Sequence, residues 1–240
     1  LRVIDSVDGQ VRVDFGSGAG FAGDDGIAKD AKANQPRSAV LAPNGDLFLL
    51  DQRSQRIRVL YNYATDRQNA IVKTIVGTGE KGFNGDGLAG LATQVSFQAG
   101  GNPEPSGALA YDAATNTLYF SDAQNNRVRK VEFQSADYLT SIVTTIAGTG
   151  DAGFAGDGSA ATSAMISNPQ DLEFGPDGKL YLADTNNNAI RRIDLATGVI
   201  EMMKHHVNTV PPKGGVLVPS LPDELEDLVA QLLAKAPEER

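Results

Sequence analysis

Three copies of one short phrase constrain the fold of this chain more than any other feature of its sequence. Gly-Phe-x-Gly-Asp occurs at residues 20–24, 82–86 and 153–157, and its phenylalanines are 62 and 71 residues apart. Each copy precedes an apolar run that ends in aspartate, at Asp51, Asp122 and Asp184. Recurrence at intervals of this size predicts an array of equivalent supersecondary units rather than one irregular core.

Each unit has the pattern of four short antiparallel strands. In the third copy, alternating polar and apolar residues and the turn pair Asp177-Gly178 predict strands at 170–174, 180–183, 189–194 and 199–202. Four such strands make one blade of a β-propeller, which gains stability by packing against neighbouring blades. We therefore expect burial between blades for Leu172, Phe174, Leu180, Leu182 and Ile190.

The third copy also resembles the repeats of NHL-type β-propellers. The resemblance rests on Gly-Thr-Gly-x-x-Gly-Phe-x-Gly-Asp-Gly at 148–158, on Asn-Pro-x-x-Leu at 168–172, and on Gly-x-Leu-Tyr-Leu-Ala-Asp-Thr-x-Asn-x-x-Ile-Arg-Arg-Ile-Asp at 178–194. It implies an NHL-repeat propeller segment over residues 1–202, with about three four-stranded blades. Residues 2–9 match the end of a repeat, which predicts a partial first blade, an incomplete or open propeller, and a fragment of a larger protein.

The C-terminal stretch departs from the repeat. Residues 203–219 predict a Pro-rich linker, and residues 220–240 predict an amphipathic α-helix. Its apolar face at 3.6-residue periodicity comprises Leu225, Leu228, Val229, Leu232 and Leu233. One interpretation is a helix docked on the propeller, and we expect that docking to be loose.

The same stretch resembles the end of the C-terminal lobe of bacterial serine/threonine kinases. The matching residues are Lys204-His205, Pro211-Pro212, Leu221-Pro222, Leu225, Leu228-Val229, residues 232–235, Pro237 and Arg240. Ala236 stands where that family has aspartate. The resemblance implies a sensor segment associated with a kinase, either as a fragment or as a fusion.

An arginine follows each repeated aspartate by seven residues, and these pairs are the candidate ligand-binding residues. They are Asp51 with Arg58, Asp122 with Arg129, and Asp184 with Arg191. The pairs could line a surface for an ionic ligand. Alternatively, each aspartate caps its turn and pairs with the arginine to hold the blade, which we favour because repetition follows architecture.

The loop aspartates are the candidate metal ligands. Asp24, Asp86 and Asp157 could hold Ca²⁺, but one carboxylate per loop falls short of the six to eight oxygens that Ca²⁺ takes. The chain has no cysteine, and its two histidines, His205 and His206, lie outside the repeats. We therefore expect no metal site, no cofactor and no catalytic residues.

Charge narrows the range of partners. A net charge of −9 argues against a nucleic-acid partner, which usually needs a cationic surface, and no apolar run is long enough to span a bilayer. Composition fits a soluble protein and does not choose between cytoplasmic and extracytoplasmic locations.

The repeats therefore indicate a non-enzymatic binding or scaffold module that presents loops to a protein or another ligand. Self-association through the open blade edge or the C-terminal helix is a further expectation. The alternatives are the kinase-associated sensor segment and, last, a hydrolase or lyase built on the propeller.

Overall fold

The computed structural model describes residues 2–4, 11–97 and 106–203, and this part of the chain is all-β. The chain divides into two compact units, Leu1–Met203 and Lys204–Arg240. Everything described below belongs to the first unit. The C-terminal helix, nearly all of the predicted linker, and the kinase-like residues lie outside the described residues and stay predictions.

Sixteen strands in the described residues form one two-stranded sheet and three larger antiparallel sheets, which we name blades 1 to 3. The two-stranded sheet pairs β1 (Arg2–Ile4) with β2 (Val11–Val13). Blade 1 contains β3 (Pro36–Leu41), β4 (Leu47–Asp51), β5 (Arg56–Tyr61) and β6 (Ile71–Val76). Blade 2 contains β7 (Leu88–Ala89), β8 (Leu109–Asp112), β9 (Thr117–Asp122), β10 (Arg127–Phe133) and β11 (Ser141–Ala147). Blade 3 contains β12 (Ser159–Ala160), β13 (Pro169–Phe174), β14 (Leu180–Asp184), β15 (Ala189–Asp194) and β16 (Val199–Met202).

The four predicted strands of the third repeat are confirmed to within a residue at each end. The sequence pattern did not predict the two-residue strands β7 and β12. Each adds to the outer edge of the blade that follows it in sequence, β7 on β11 and β12 on β16. The Gly-rich segment of a repeat thus closes over the free edge of its own blade, where unpaired backbone groups would otherwise face water.

The turn between the second and third strands ends in a left-handed residue in every blade. Gln55, Asn126 and Asn188 have φ of 52°, 51° and 51°, and the two asparagines end single turns of 3-10 helix. Asparagine tolerates this conformation better than most residues, which agrees with the polar turn expected there. The turn places the aspartate that ends the second strand close to the start of the third.

Apolar side chains pack between successive blades. Between blades 1 and 2 the buried cluster includes Phe48, Leu50, Leu118, Phe120 and Val131. Between blades 2 and 3 it includes Tyr119, Val128, Leu172, Leu182 and Ile193. Each blade is therefore held chiefly by its neighbours, as in other repeat architectures.

One of the five predicted core residues is exposed. Leu172, Leu180 and Leu182 are buried and Phe174 is partly buried, but Ile190 keeps 46% of its surface exposed. Arg191 occupies the blade 2 side of β15, so the two-residue alternation puts Ile190 on the opposite face. Its equivalents Ile57 and Val128 are fully buried because the next blade covers them.

Candidate functional site

The repeated aspartates and arginines lie together in the interior at one end of each blade. All six side chains are fully buried: Asp51, Arg58, Asp122, Arg129, Asp184 and Arg191. In each repeat the aspartate ends the second strand, and its Oδ1 accepts a backbone N–H at 2.7 Å, from Asn34, Ser96 and Ser167 respectively. This hydrogen bond ties the strand end to the segment that enters the blade.

Each arginine binds two carboxylates, one from its strand neighbour and one from the Gly-Phe-x-Gly-Asp loop. The guanidinium nitrogens of Arg58, Arg129 and Arg191 lie 3.7, 3.3 and 3.4 Å from the strand aspartates. They lie 2.7, 3.3 and 3.0 Å from Asp24, Asp86 and Asp157. The two aspartates of a repeat lie 27 to 36 residues apart in the sequence, whereas the structure places both of them beside one arginine.

Backbone carbonyls take further guanidinium hydrogens of all three arginines, and only the Nε of Arg129 has no hydrogen-bond partner among the three groups. Arg58 donates to the carbonyls of Lys32 and Ala22 at 2.8 and 3.2 Å, and Arg191 donates to those of Met165 and Ala155 at 2.7 and 2.9 Å. Arg58 and Arg191 therefore replace their hydration shells with fixed acceptors, which a buried guanidinium needs. The loop is held against the blade at several points as a result.

Two of the loop aspartates, Asp24 and Asp86, also accept hydrogen bonds from the outer strand of their blade. Thr74 Oγ1 donates to Asp24 Oδ2 at 2.7 Å, and the backbone N–H and Oγ1 of Thr145 donate to Asp86 Oδ1 at 2.8 and 2.9 Å. These carboxylate oxygens are thus engaged by protein donors. Within residues 11–97 and 106–203, no group of three or more His, Cys, Asp or Glu side chains is arranged to hold a metal ion.

Burial raises the pKa of two of the strand aspartates, Asp51 and Asp122. Burial raises the pKa of Asp122 to about 6. Hydrogen bonds from Asn125 and Ser96 and the positive charge of Arg129 lower this pKa, but the effect of burial is larger. Burial likewise raises the pKa of Asp51. Both side chains are fully buried beside an arginine, so these carboxylates are partners in interior ion pairs.

A row of stacked rings and guanidinium groups runs across the same end of blades 1 and 2, and the sequence analysis missed it. The Arg56 guanidinium carbon lies 3.8 Å from the ring centroid of Phe21, and that of Arg127 lies 3.8 Å from the ring of Phe83. Arg56 also donates to the carbonyl of Thr78 at 2.9 Å, and Arg127 donates to that of Thr149. Each arginine thus connects the loop of its own repeat with the loop of the next.

We call the three phenylalanines and these two arginines the loop row. Phe21 and Phe154 are 40% and 49% exposed, although both are large apolar side chains. The available sequence signal was the Arg-x-Arg pair at Arg56/Arg58 and at Arg127/Arg129, which the third repeat replaces with Ala189/Arg191. The loop row is thus a feature that the loops of successive repeats build together and that exposes two large aromatic side chains.

Comparison with known proteins gives consistent matches over the repeats. The family model described as the teneurin NHL domain matches residues 97–213. The protein SUPPRESSOR OF QUENCHING 1, chloroplastic, of Arabidopsis thaliana is 32% identical over 197 residues, covering 80% of this chain and 17% of that protein. NHL repeat-containing protein 2 of Bos taurus is 31% identical over 176 residues, covering 70% of this chain and 22% of that protein. These matches support an NHL-type β-propeller.

A solved structure shows the same kind of fold. An auxiliary nutrient binding protein from Bacteroides ovatus ATCC 8483 aligns with a TM-score of 0.50 at 17% identity, covering 73% of this chain and 39% of that one. The chain spans about a fifth of the length of the curated relatives described above. The resemblance of residues 203–240 to a kinase lobe gains no support from these comparisons.

Proposed function

We propose that this chain is a non-enzymatic binding module that captures a protein partner through the loop row. The observation that carries the proposal is the contrast within the loops. The charged side chains Asp24 and Asp157 of the loops form ion pairs with the blades. Phe21 and Phe154 on the same loops are 40% and 49% exposed. Rigidly held aromatic side chains at a surface are typical anchors of protein interfaces.

The NHL-type repeats support a propeller that serves as a binding or scaffold module. Loops on a rigid β scaffold commonly carry recognition, since the scaffold fixes their geometry at little entropic cost. Buried arginine–aspartate clusters fix these loops in every repeat. A net charge of −9 favours a partner with basic groups and disfavours nucleic acid.

Within the same proposal, residues 1–202 form the propeller segment, residues 203–219 the linker and residues 220–240 the helix. Further blades in a longer parent protein would cover the open face of blade 3. The segment would then act as one arc of a larger binding surface. No helix in the part of the chain that the structure describes is long and apolar enough to cross a membrane.

A kinase-associated sensor segment remains the second hypothesis, and no observation in the described residues favours it. A hydrolase or lyase on the propeller is the third. For either enzyme hypothesis the described blades would have to offer accessible acid, base or metal-binding groups. The aspartates that recur in every repeat are instead engaged with arginines.

Two single substitutions test the proposed function with a matched control. Phe154 and Leu41 are similarly exposed, at 49% and 53%, but Leu41 ends β3 at the opposite end of blade 1. Partner proteins would be identified by crosslinking in cells that produce the full-length protein, and their affinities would then be measured with purified components. We expect Phe154→Ser to weaken the interaction at least about ten-fold and Leu41→Ser to leave it unchanged. Equal affinities for the two variants would overturn the proposal.

A further inference from the structure

The third repeat keeps the phenylalanine of the loop row and both aspartates of the buried cluster, but it lacks the stacking arginine that the first two repeats have. Ala189 occupies the position of Arg56 in blade 1 and of Arg127 in blade 2. Phe154, Asp157, Asp184 and Arg191 all remain. The rings of Phe21 and Phe83 each have one arginine stacked at 3.8 Å and a second at about 5 Å, whereas Phe154 has only the second, Arg191, at 5.4 Å.

The geometry of the covered rings is the same in both cases. In each, a guanidinium group stacks at 3.8 Å from the ring centroid, and its Nη1 donates to the carbonyl two residues before it in sequence, that of Ser54 at 2.8 Å or of Asn125 at 2.9 Å. The equivalent carbonyl in the third repeat belongs to Asn187. A ring face and one carbonyl acceptor thus recur in the third repeat, in an arrangement that binds guanidinium twice elsewhere in the molecule.

The local charge of the third repeat also favours the binding of a guanidinium group at this position. In blades 1 and 2, Arg58 and Arg129 bind the two carboxylates directly, and a further arginine two residues earlier stacks on the ring beside them. In blade 3, Asp157 and Asp184 face Arg191 alone, at 3.0 and 3.4 Å. One negative charge is therefore unbalanced beside an exposed aromatic ring, and Asp157 is 31% exposed at its side chain.

We propose that Phe154, the Asn187 carbonyl and the Asp157 carboxylate form a binding site for an arginine side chain of a partner protein. The guanidinium would stack on the Phe154 ring, donate to the carbonyl, and neutralise the excess charge. A planar cation suits this arrangement better than an ammonium group, because it stacks and donates in one plane at the same time. The site rests on the proposed binding function and names the chemistry of the partner.

A small probe tests the site without any knowledge of the partner. Nα-acetyl-arginine amide is titrated into protein carrying ¹³C-labelled phenylalanine, with Nα-acetyl-citrulline amide as the neutral probe of the same shape. The Phe154 ring signal, assigned by its loss in Phe154→Leu, is expected to shift with arginine amide about five-fold more tightly than with citrulline amide. The rings of Phe21 and Phe83, already stacked on arginines, serve as internal controls and are expected to stay in place.

Ala189→Arg supplies a second and independent variant. It restores the arginine found in the other repeats, so it is expected to cover Phe154 and abolish the response to the probe while the protein stays folded. Equal binding of citrulline amide, equal shifts at Phe21 and Phe154, or an unchanged response in Ala189→Arg would each overturn the site. If Phe154→Ser weakens partner capture but arginine amide does not bind, the proposed function stands and the guanidinium site fails.

Discussion

At the scale of single residues, three fully buried arginines hold the loops of this molecule against its blades. A buried guanidinium is costly to desolvate, and the cost is offset only when carboxylates and carbonyls surround it. Arg191 has both, with Asp157 at 3.0 Å, Asp184 at 3.4 Å and two backbone carbonyls. Removing the Arg191 guanidinium leaves the Asp184 carboxylate buried without a counterion.

Adjacent arginines on β15 give a matched test of this cost. Arg191→Met is expected to lower the free energy of unfolding by about 3–5 kcal/mol, because Asp184 stays buried and unpaired. Arg192→Met removes a half-exposed pair with Glu201 and is expected to leave the urea midpoint nearly unchanged. Urea denaturation followed by circular dichroism measures both variants. Similar midpoints for the two would contradict the structural role given to Arg191.

Tyr138 gives a test that depends on pH. Its buried hydroxyl accepts from Asn44 Nδ2 at 2.7 Å and donates to Asp46 Oδ2 at 3.0 Å, and burial raises its pKa above the ordinary value. Above about pH 10 the unfolded phenol ionises first, so the unfolded state holds fewer protons and the free energy of unfolding falls as pH rises.

Tyr138→Phe removes this ionisable group. It is expected to cost about 1–3 kcal/mol at neutral pH, since Asp46 and Asn44 lose a buried partner. Between pH 9 and pH 11.5 its free energy of unfolding should decline less steeply than that of the wild type. Parallel declines in chemical denaturation at these pH values would show that Tyr138 contributes nothing to the alkaline transition.

At the scale of elements, the glycine-rich linkers allow close approach between one blade and the next loop. A Cβ on Gly148 would lie 2.2 Å from the carbonyl oxygen of Asn126, and its φ is 93°. Gly178 in the turn before β14 has a similar positive φ of 72°, but no atom within 4 Å would meet its Cβ. A substitution at Gly178 therefore meets backbone strain alone, whereas a substitution at Gly148 meets both backbone strain and a steric clash.

Alanine substitution at these two glycines tests the close approach. Gly178→Ala is expected to cost about 1 kcal/mol for the left-handed conformation alone. Gly148→Ala is expected to cost about 1–3 kcal/mol more, because the Asn126 turn must move. Thermal and urea unfolding of both variants measure the loss of stability. Equal losses for the two variants would mean that the backbone near Asn126 moves away from the new Cβ at no cost.

At the scale of the whole molecule, a blade's stability depends on which of its faces its neighbours cover. Blade 2 packs against blade 1 on one face and blade 3 on the other. The far face of blade 3 carries Ile190, which is 46% exposed, whereas the equivalent Val128 of blade 2 is fully buried. Equivalent positions in equivalent strands thus differ only in what lies over them.

Serine substitution at the two equivalent positions measures this coverage. Val128→Ser is expected to cost about 2–4 kcal/mol, since it leaves a cavity and buries a hydroxyl between blades. Ile190→Ser is expected to cost at most about 1 kcal/mol at its more exposed site. A loss at Ile190 as large as that at Val128, measured by urea denaturation, would show that another part of the chain covers blade 3 in solution.

The sequence by itself determined the repeat, the four main strands of the third repeat and the recurring aspartates and arginines, because two-residue alternation and turn chemistry are local properties. Tertiary structure decided which groups meet. Asp24 reaches Arg58 from 34 residues away, and Arg56 reaches both Phe21 and the Thr78 carbonyl in the next loop. Ile190 was misplaced for the same reason: local periodicity fixes the face of a side chain, whereas only packing between blades decides whether that face is covered.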